Sequence, residues 1–269
     1  GVCLNVGCIP SKTLLHAAKV IDESADMSTH GVSFGAPQVD LGKLLDWKKS
    51  VVRRLTNGLT GLAKQRKVEV VRGTGRFAGP NVIEVEGQDG QRTLLGFEQC
   101  IIAAGSEPIR LPFVPNDPRV IDSTGALELA GIPQRLLVIG GGIIGLEMAC
   151  VYSALGSKVS VVELAEQLMP GADPDLVRPL EKRLKARYEQ ILLGTKVTKA
   201  EALPEGIRVS YEAGGQTTAS VYDRVLVAVG RVPNGRLINA AAAGVTVNER
   251  GFVPVDRQMR TNVAHIFAI

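Results

Sequence analysis

The sequence predicts an α/β fold in which parallel strands alternate with helices. Two apolar runs, "RLLVIG" (135–140) and "KVSVVEL" (158–164), flank a helical stretch that opens on glycines. Shorter strands separated by turn residues, such as "VIEVEG" (82–87), precede them. Hydrophobic residues make up 45% of the 269 residues and charged residues 22%. This composition suffices for a globular core and excludes a disordered chain.

The first hundred residues are predicted to form two helices followed by short strands. "SKTLLHAAKVIDESA" (11–25) is a helix whose start is favoured by Pro10 and Ser11. The basic stretch 43–67 carries leucine and valine at helical spacing. Its lysines and arginines are therefore interpreted as a solvated helix face and not as a nucleic-acid patch. The predicted strands are "VEVVRG" (68–73), "VIEVEG" (82–87), "RTLLGF" (92–97) and "CIIAAG" (100–105).

The second half of the chain continues with a proline-rich connection and a nucleotide-binding type of pattern. "EPIRLPFVPNDPR" (107–119) is predicted to cross between two domains. A strand, a glycine-rich turn, a helix and a second strand then form a βαβ unit. After it come a charged helix (173–187) and strands at 206–212 and 222–229, and the chain closes on an apolar strand within 261–269. No apolar run is long enough to span a membrane.

The glycine-rich turn "GGGIIG" has the pattern of a dinucleotide-binding site. Gly140, Gly142 and Gly145 supply G-x-G-x-x-G between a predicted strand and a helix, and Glu163 ends the next strand about 20 residues later. The glycines allow a tight turn, close approach of a pyrophosphate and helix–strand packing, and the helix N-terminus faces the phosphates. The Glu163 carboxylate suits an adenosine ribose and repels a 2′-phosphate. We therefore predict NAD rather than NADP.

Two of the four cysteines, Cys3 and Cys8, are spaced as a pair. In a regular helix, residues five apart are separated by about 7.5 Å in rise and about 140° around the axis. A disulfide needs its Cα atoms within about 7 Å. Either the two thiols are unrelated, or the helix is distorted at Gly7 to join them. Cys100 and Cys150 lie in apolar surroundings and are interpreted as core residues.

Several motifs together resemble one enzyme family. "CLNVGCIPSK" (3–12) is similar to the redox-active signature of the flavin-dependent pyridine nucleotide–disulfide oxidoreductases. "IIAAGSEPIRLPF", "STGALEL", "GGGIIGLE", "VAVGRVPN" and "TNVAHIFAI" follow in the family's order and spacing. The resemblance covers essentially the whole chain. The sequence of the cysteine motif is most similar to that of the members that oxidise dihydrolipoamide.

The resemblance implies a fold of two Rossmann-like three-layer dinucleotide-binding domains, the NAD domain whole, with an antiparallel meander, and the FAD domain incomplete. It implies a partial FAD-binding domain at 1–108, an NAD-binding domain at 109–238 and a return segment to the FAD domain at 239–269. The family's first G-x-G-x-x-G and its C-terminal His–Glu base are not found in this sequence, and His16, His30 and His265 do not match that base. We expect the chain to be the central part of a longer enzyme, with some NAD affinity, poor FAD binding and no turnover by itself.

The resemblance also implies an electron path. Dihydrolipoamide on a lipoyl domain would reduce a Cys3–Cys8 disulfide, and the electrons would pass to FAD and then as hydride to NAD⁺. Cys3 would exchange with substrate and Cys8 would face the flavin. The implied FAD-side contacts are Lys12, Gly75, Gly105 and Ser106. The implied NAD-side contacts are Gly140, Gly141, Gly142, Ile143, Ile144, Glu147, Glu163, Val197 and Gly230. No metal site is predicted.

The implied partners are a second copy of the chain in a homodimer and a 2-oxo acid dehydrogenase complex, with no nucleic acid and no membrane. The implied compartment is the bacterial cytoplasm or the mitochondrial matrix, and a targeting segment is not observable in this sequence. Two alternatives stay open. The chain could belong to another reductase of the family, such as a mercuric or glutathione reductase, or it could be a non-catalytic NAD-binding or thiol-sensing module.

Overall fold

The computed structural model describes all residues, 1–269, and has a mixed α/β fold. The predicted α/β class is confirmed. Contacts within the chain define two compact units, one formed by residues 1–56 and 108–230 and the other by 57–107 and 231–269. These units are defined by contacts and not by cofactor binding. The predicted FAD-binding and NAD-binding domains, with boundaries at 108 and 238, therefore stay a prediction. No helix is both long and apolar enough to cross a bilayer.

The first unit begins with the helices that carry the cysteine motif. They are α1 (Val2–Val6) and α2 (Cys8–Asp26), followed by a 3₁₀ turn (Met27–His30) and α3 (Leu41–Gln65), of which the first part belongs to this unit. Asp40 starts α3 by accepting the Lys43 N–H at 3.0 Å. α2 buries Leu14 in the core of the unit, which fixes the side of the helix that faces inward.

A five-stranded parallel sheet forms the centre of the same unit. Its spatial order is β6 (Val120–Ile121), β13 (Arg224–Val227), β7 (Arg135–Ile139), β8 (Lys158–Val162) and β9 (Gln190–Leu192). All four neighbouring pairs are parallel, with Leu137 opposite Ser160 on one side and Val225 on the other. Parallel strands are covered on both faces, and this explains their continuous apolar sequences.

The two faces of this sheet are covered by different layers. α4 (Ser123–Leu127), α5 (Ile143–Ala154) and α6 (Pro174–Lys185) share one apolar core with Leu136 and Val138. An antiparallel meander of β10 (Lys196–Leu203), β11 (Gly206–Ala213) and β12 (Gln216–Tyr222) shares another with Leu137 and Ile139. Because alternate residues of β7 point to opposite faces, one strand supplies both cores.

The second unit contains three small sheets. β1 (Thr74–Gly79), β2 (Val82–Glu86) and β3 (Arg92–Gly96) form an antiparallel sheet, β4 (Cys100–Ile102) pairs in parallel with β15 (Ile266–Ala268), and β5 (Ser106–Pro108) pairs with β14 (Arg231–Pro233). Two 3₁₀ turns, Asn234–Arg236 and Ala240–Ala243, follow β14. The predicted strand at 68–73 is wrong. These residues lie exposed without a ladder partner, and a strand forms only where its backbone groups are paired.

Candidate active site

The two cysteines of the opening motif form a disulfide. Cys3 lies in α1 and Cys8 begins α2, with 4.6 Å between their Cα atoms. Gly7 separates the two helices, and a Cβ placed on it would come within 3.0 Å of the Cys3 Cα and the Val2 carbonyl oxygen. The helix is therefore interrupted at Gly7, and the absent side chain lets the two cysteines approach. Both cysteines are exposed, so an external thiol has access to the bond.

The first turn of α2 contacts α5, the helix that follows the glycine-rich turn. The Ser11 hydroxyl donates to Glu147 Oε2 at 2.9 Å, and Lys12 Nζ donates to Glu147 Oε1 at 2.5 Å. Leu14 continues the contact into the core shared with Leu146. Because Glu147 lies in the first part of α5, the disulfide-bearing end of α2 lies beside the N-terminal part of α5.

The glycine-rich turn has three glycines with different surroundings. Gly140 has φ +109°, and a Cβ there would be 2.5 Å from the Ala228 carbonyl oxygen. A Cβ on Gly145 would collide with the Gly140 carbonyl oxygen, which shows how closely α5 packs on β7. A Cβ on Gly142 would meet nothing within 4 Å. The space beside Gly142 is therefore open to a ligand, as the dinucleotide fingerprint requires.

Glu163 lies directly after β8 and hydrogen-bonds the glycine-rich turn. Its Oε2 accepts the Gly141 N–H at 2.6 Å and its Oε1 accepts the Ala165 N–H at 2.9 Å. Gly142 is the N-cap of α5 and no side chain caps that helix. The uncapped N–H groups, the open space at Gly142 and the adjacent carboxylate fit the pyrophosphate and ribose of a dinucleotide.

The other predicted NAD-side residues lie in the same unit. Ile143 and Ile144 are exposed at the start of α5, and Val197 is buried in β10. Gly230 has φ +124°, and its carbonyl accepts the Ile109 N–H at 3.1 Å. Val197 packs in the core with Val162, on the meander side of the sheet.

The remaining predicted FAD-side residues belong to the second unit. Gly75 lies in β1, and Gly105 has φ +70° immediately before β5. The Ser106 hydroxyl accepts a hydrogen bond from Arg231 Nε at 2.8 Å. Asn234 donates its backbone N–H to the Gly105 carbonyl at 3.0 Å, so β14 and the turn after it hold this segment. Lys12 and the cysteines lie in the first unit.

Cys100 and Cys150 are not in disulfides. Burial raises the pKa of the Cys100 thiol, which disfavours its reactive thiolate form. Cys150 Sγ lies 3.4 Å from the hydroxyl of Tyr188, and burial raises the pKa of that hydroxyl as well. Both cysteines therefore differ from the exposed Cys3 and Cys8. No group of three or more His, Cys, Asp or Glu side chains is arranged to hold a metal ion.

Three residues that support this site are not among those predicted from the sequence. Ser11 contacts Glu147, while Leu168 and Met169 contact Gly141: the Met169 N–H donates to the Gly141 carbonyl at 2.8 Å, and Leu168 Cδ2 would be 2.7 Å from a Gly141 Cβ. A local pattern signals none of these contacts, because each partner lies more than 20 residues away in the sequence. Only the left-handed φ of Met169, +51°, marks it as unusual once the backbone is known.

Comparisons with known proteins match the whole chain. The model of the family "Pyridine nucleotide-disulphide oxidoreductase" matches residues 1–269. A dihydrolipoyl dehydrogenase of Vibrio cholerae is 57% identical and one of Haemophilus influenzae 52%, each over 100% of this chain. The chain spans 57% of the length of the former and 56% of the latter. A Cu(II) complex of the HOCl-induced flavoprotein disulfide reductase RclA from Escherichia coli superposes with TM-score 0.84 at 29% identity, over 100% of this chain and 57% of that one.

Proposed function

Since the chain belongs to the pyridine nucleotide-disulphide oxidoreductase family, we propose that this protein is a dihydrolipoyl dehydrogenase, which oxidises dihydrolipoamide with NAD⁺. The family uses FAD and NAD, as the sequence resemblance predicted. Relatives of that name with more than half of their aligned residues identical support the choice of substrate. The observation that carries the proposal is the exposed Cys3–Cys8 disulfide next to the Lys12–Glu147 contact.

The sulfur chemistry is a pair of thiol–disulfide exchanges. One thiolate of dihydrolipoamide attacks Cys3 Sγ, and the Cys3–Cys8 bond breaks so that Cys8 leaves as a thiolate. The second thiol of the substrate, after losing its proton, attacks the sulfur bonded to Cys3. This step closes the lipoamide disulfide and releases Cys3 as a thiolate. The substrate is oxidised by two electrons, the protein disulfide is reduced by two electrons, and two protons are released or taken up by the two cysteines.

The FAD side of the proposal rests on Lys12, Gly75, Gly105 and Ser106. Lys12 lies one turn after Cys8, and 60% of its side chain is exposed, so its ammonium group is accessible. Its positive charge would stabilise an anionic cofactor. FAD, when bound, supplies the two-electron chemistry that links the dithiol to hydride transfer. The left-handed Gly105 and the hydrogen-bonded Ser106 form the turn that would contact FAD in the second unit.

The NAD side rests on the glycine-rich turn and its neighbours. The pyrophosphate would lie at the N-terminal end of α5, next to the N–H groups of Gly142, Ile143 and Ile144. Gly141 would line the same space, but its own N–H already donates to Glu163. Glu163 retains lone pairs for a ribose hydroxyl. We assign Glu147 to the nicotinamide end and Val197 and Gly230 to the flanks of the dinucleotide.

The domain assignment completes the proposal. Residues 1–108 contribute to FAD binding, 109–238 bind NAD, and 239–269 return to the FAD domain. The protein acts as a homodimer with a 2-oxo acid dehydrogenase complex, and its substrate is carried on a lipoyl domain of that complex. We propose the bacterial cytoplasm as the compartment, because relatives with at least 52% identity come from Vibrio cholerae and Haemophilus influenzae.

The test is dihydrolipoamide-dependent NADH formation by the full-length flavoprotein. Cys3→Ser is expected to lower kcat at least 1,000-fold, about 4 kcal/mol of lost transition-state stabilisation, while FAD absorbance stays. Cys100→Ser, a change to a thiol outside the disulfide, is the matched control and is expected to keep the rate. Wild-type turnover by the Cys3 variant would refute the exchange mechanism. Faster turnover with glutathione disulfide and NADPH than with dihydrolipoamide and NAD⁺ would assign the protein to another reductase class.

A further inference from the structure

A short segment that begins at Glu163 hydrogen-bonds the glycine-rich turn and packs against it. We name residues 163–169 the glutamate loop. At its start, Glu163 Oε2 accepts the Gly141 N–H at 2.6 Å, and at its end the Met169 N–H donates to the Gly141 carbonyl at 2.8 Å. Leu168 directly precedes Met169 and is fully buried. Its side chain fills the space that a side chain on Gly141 would need. Gly141 is therefore held at both of its backbone polar groups and at its Cα.

The backbone conformation of Met169 allows its N–H to donate to the Gly141 carbonyl. Its φ is +51°, a left-handed value that L residues with a side chain adopt only at a cost in free energy. Pro170 follows, and a proline biases the residue before it toward extended conformations, so Pro170 does not itself account for the left-handed value. The chain thus accepts a strained residue at the point where its N–H reaches the glycine-rich turn.

Gly141 immediately precedes Gly142, the N-cap of α5. The position of Gly141 consequently sets where the first N–H groups of α5 point. We propose that Met169 is a positioning residue of the nucleotide site, which acts through its left-handed backbone and not through its side chain. This inference rests on the proposed NAD site and adds a residue that holds the glycine-rich turn before the nucleotide binds.

The Met169 side chain offers a competing explanation, because it also packs against the core of the first unit. The two explanations predict opposite orders of substitution. Glycine adopts the left-handed conformation most easily, alanine less so and β-branched valine with most difficulty. A packing role ranks them by retained side-chain volume, so that valine is the mildest change and glycine the most severe.

The experiment measures binding of ADP-ribose to the full-length flavoprotein by calorimetry. ADP-ribose contains the adenosine ribose and the pyrophosphate but no nicotinamide that could be reduced. Met169→Val is expected to bind about ten-fold more weakly than the wild type, and Met169→Gly to bind more tightly than Met169→Ala. In turnover, the valine variant is expected to raise KM for NAD⁺ about ten-fold, with kcat and the KM for dihydrolipoamide within two-fold of wild type.

Met259 provides a matched control of the same residue type. It also has a left-handed backbone, φ +61°, but its N–H donates to the Asp256 carbonyl instead of the glycine-rich turn. Met259→Val introduces the same kind of strain, so we expect a lower Tm and an ADP-ribose Kd within two-fold of wild type. A change in Kd equal to that of Met169→Val would overturn the positioning role.

The order of the Met169 variants decides the inference. If Met169→Gly binds ADP-ribose more weakly than Met169→Ala, the side chain is what matters and the inference is wrong. The glycine–alanine comparison also decides it if the valine variant does not fold. A wild-type protein with no affinity for ADP-ribose would overturn the proposed NAD site and this inference with it, whereas normal wild-type affinity with the reversed order overturns only the inference.

Discussion

Lys12 Nζ and Glu147 Oε1 lie 2.5 Å apart although the two residues are 135 positions apart in the sequence. Ser11 donates to the second oxygen of the same carboxylate. Two consecutive residues of α2 therefore contact one residue of α5. The sequence motifs assigned Lys12 and Glu147 to different cofactors, and the structure joins them in one ion pair.

We expect this ion pair to matter more for turnover than for stability. Because 60% of the Lys12 side chain is exposed, a double-mutant cycle of Lys12→Met and Glu147→Gln is expected to give a coupling free energy of unfolding of about 0.2–1 kcal/mol. Lys12→Met is expected to lower kcat for NADH formation at least ten-fold. Lys19→Met, which breaks the exposed Lys19–Glu23 pair on the same helix, is the control for charge removal. Equal rates for the two lysine variants would contradict the prediction.

Gly7→Ala is expected to weaken formation of the disulfide. The new Cβ would come within 3.0 Å of the Cys3 Cα, so α1 must shift and carry Cys3 away from Cys8. Titration of free thiols after mild oxidation is expected to find more reactive cysteine than in the wild type. Gly58→Ala in α3, where a Cβ meets nothing within 4 Å, is expected to leave the thiol count unchanged. A wild-type thiol count in the Gly7 variant would show that α1 adapts without cost.

Gly142→Ala and Gly145→Ala are expected to fail in different ways. At Gly145 the Cβ collides with the Gly140 carbonyl oxygen, so the free energy of unfolding is expected to fall by about 1–3 kcal/mol. At Gly142 the Cβ meets no protein atom, so the fold is expected to keep its stability. The same methyl group would occupy the space for the pyrophosphate and raise the Kd for NAD⁺ at least ten-fold. Denaturation and calorimetry on both variants measure these outcomes, and unchanged NAD⁺ affinity in Gly142→Ala would place the pyrophosphate elsewhere.

Glu163→Arg is expected to shift coenzyme preference toward NADP⁺. The change removes a carboxylate that repels a 2′-phosphate and adds a cation that attracts one. The ratio of kcat/KM for NADP⁺ to that for NAD⁺ is expected to rise at least ten-fold. Glu163→Gln, which keeps the shape and loses the charge, is expected to change the ratio less. Both variants should also weaken NAD⁺ binding, because Glu163 holds the Gly141 N–H. An unchanged ratio in the arginine variant would remove Glu163 from the ribose site.

Asp117 is expected to titrate at unusually low pH. Hydrogen bonds from the Arg119 side chain and backbone lower the pKa of the Asp117 carboxyl from 3.8 to about 2. A carboxyl whose pKa is depressed by folding stabilises the protein above its unfolded pKa, and this contribution disappears as the pH falls from about 4 through 2. Carboxyl NMR titration of the wild type should give a midpoint near 2. Arg119→Gln should move the midpoint toward 3.8, and an unmoved midpoint would exclude Arg119 as the cause.

Some features of the site were predictable because each depends on residues close together in the chain. The order of strand, glycine-rich turn, helix and strand around Gly140 and Gly145 follows from local spacing and from the steric freedom of glycine. Glu163 was predictable because it ends the strand after the βαβ helix. Helix geometry did not decide whether Cys3 and Cys8 are bonded to each other. Only the family resemblance favoured the disulfide that the structure contains.

The α/β class, the glycine-rich turn and the family could be predicted without the structure, since these depend on periodicity and on motifs of a few residues. Contacts between groups far apart in the sequence became known only from the folded chain. It paired Lys12 with Glu147, placed Met169 on Gly141, and left residues 68–73 without the neighbour that a strand needs. A hydrogen bond or an ion pair depends on the distance between its atoms in space, which a local sequence pattern does not contain. Packing of α2 on α5, and of the glutamate loop on the glycine-rich turn, sets that distance.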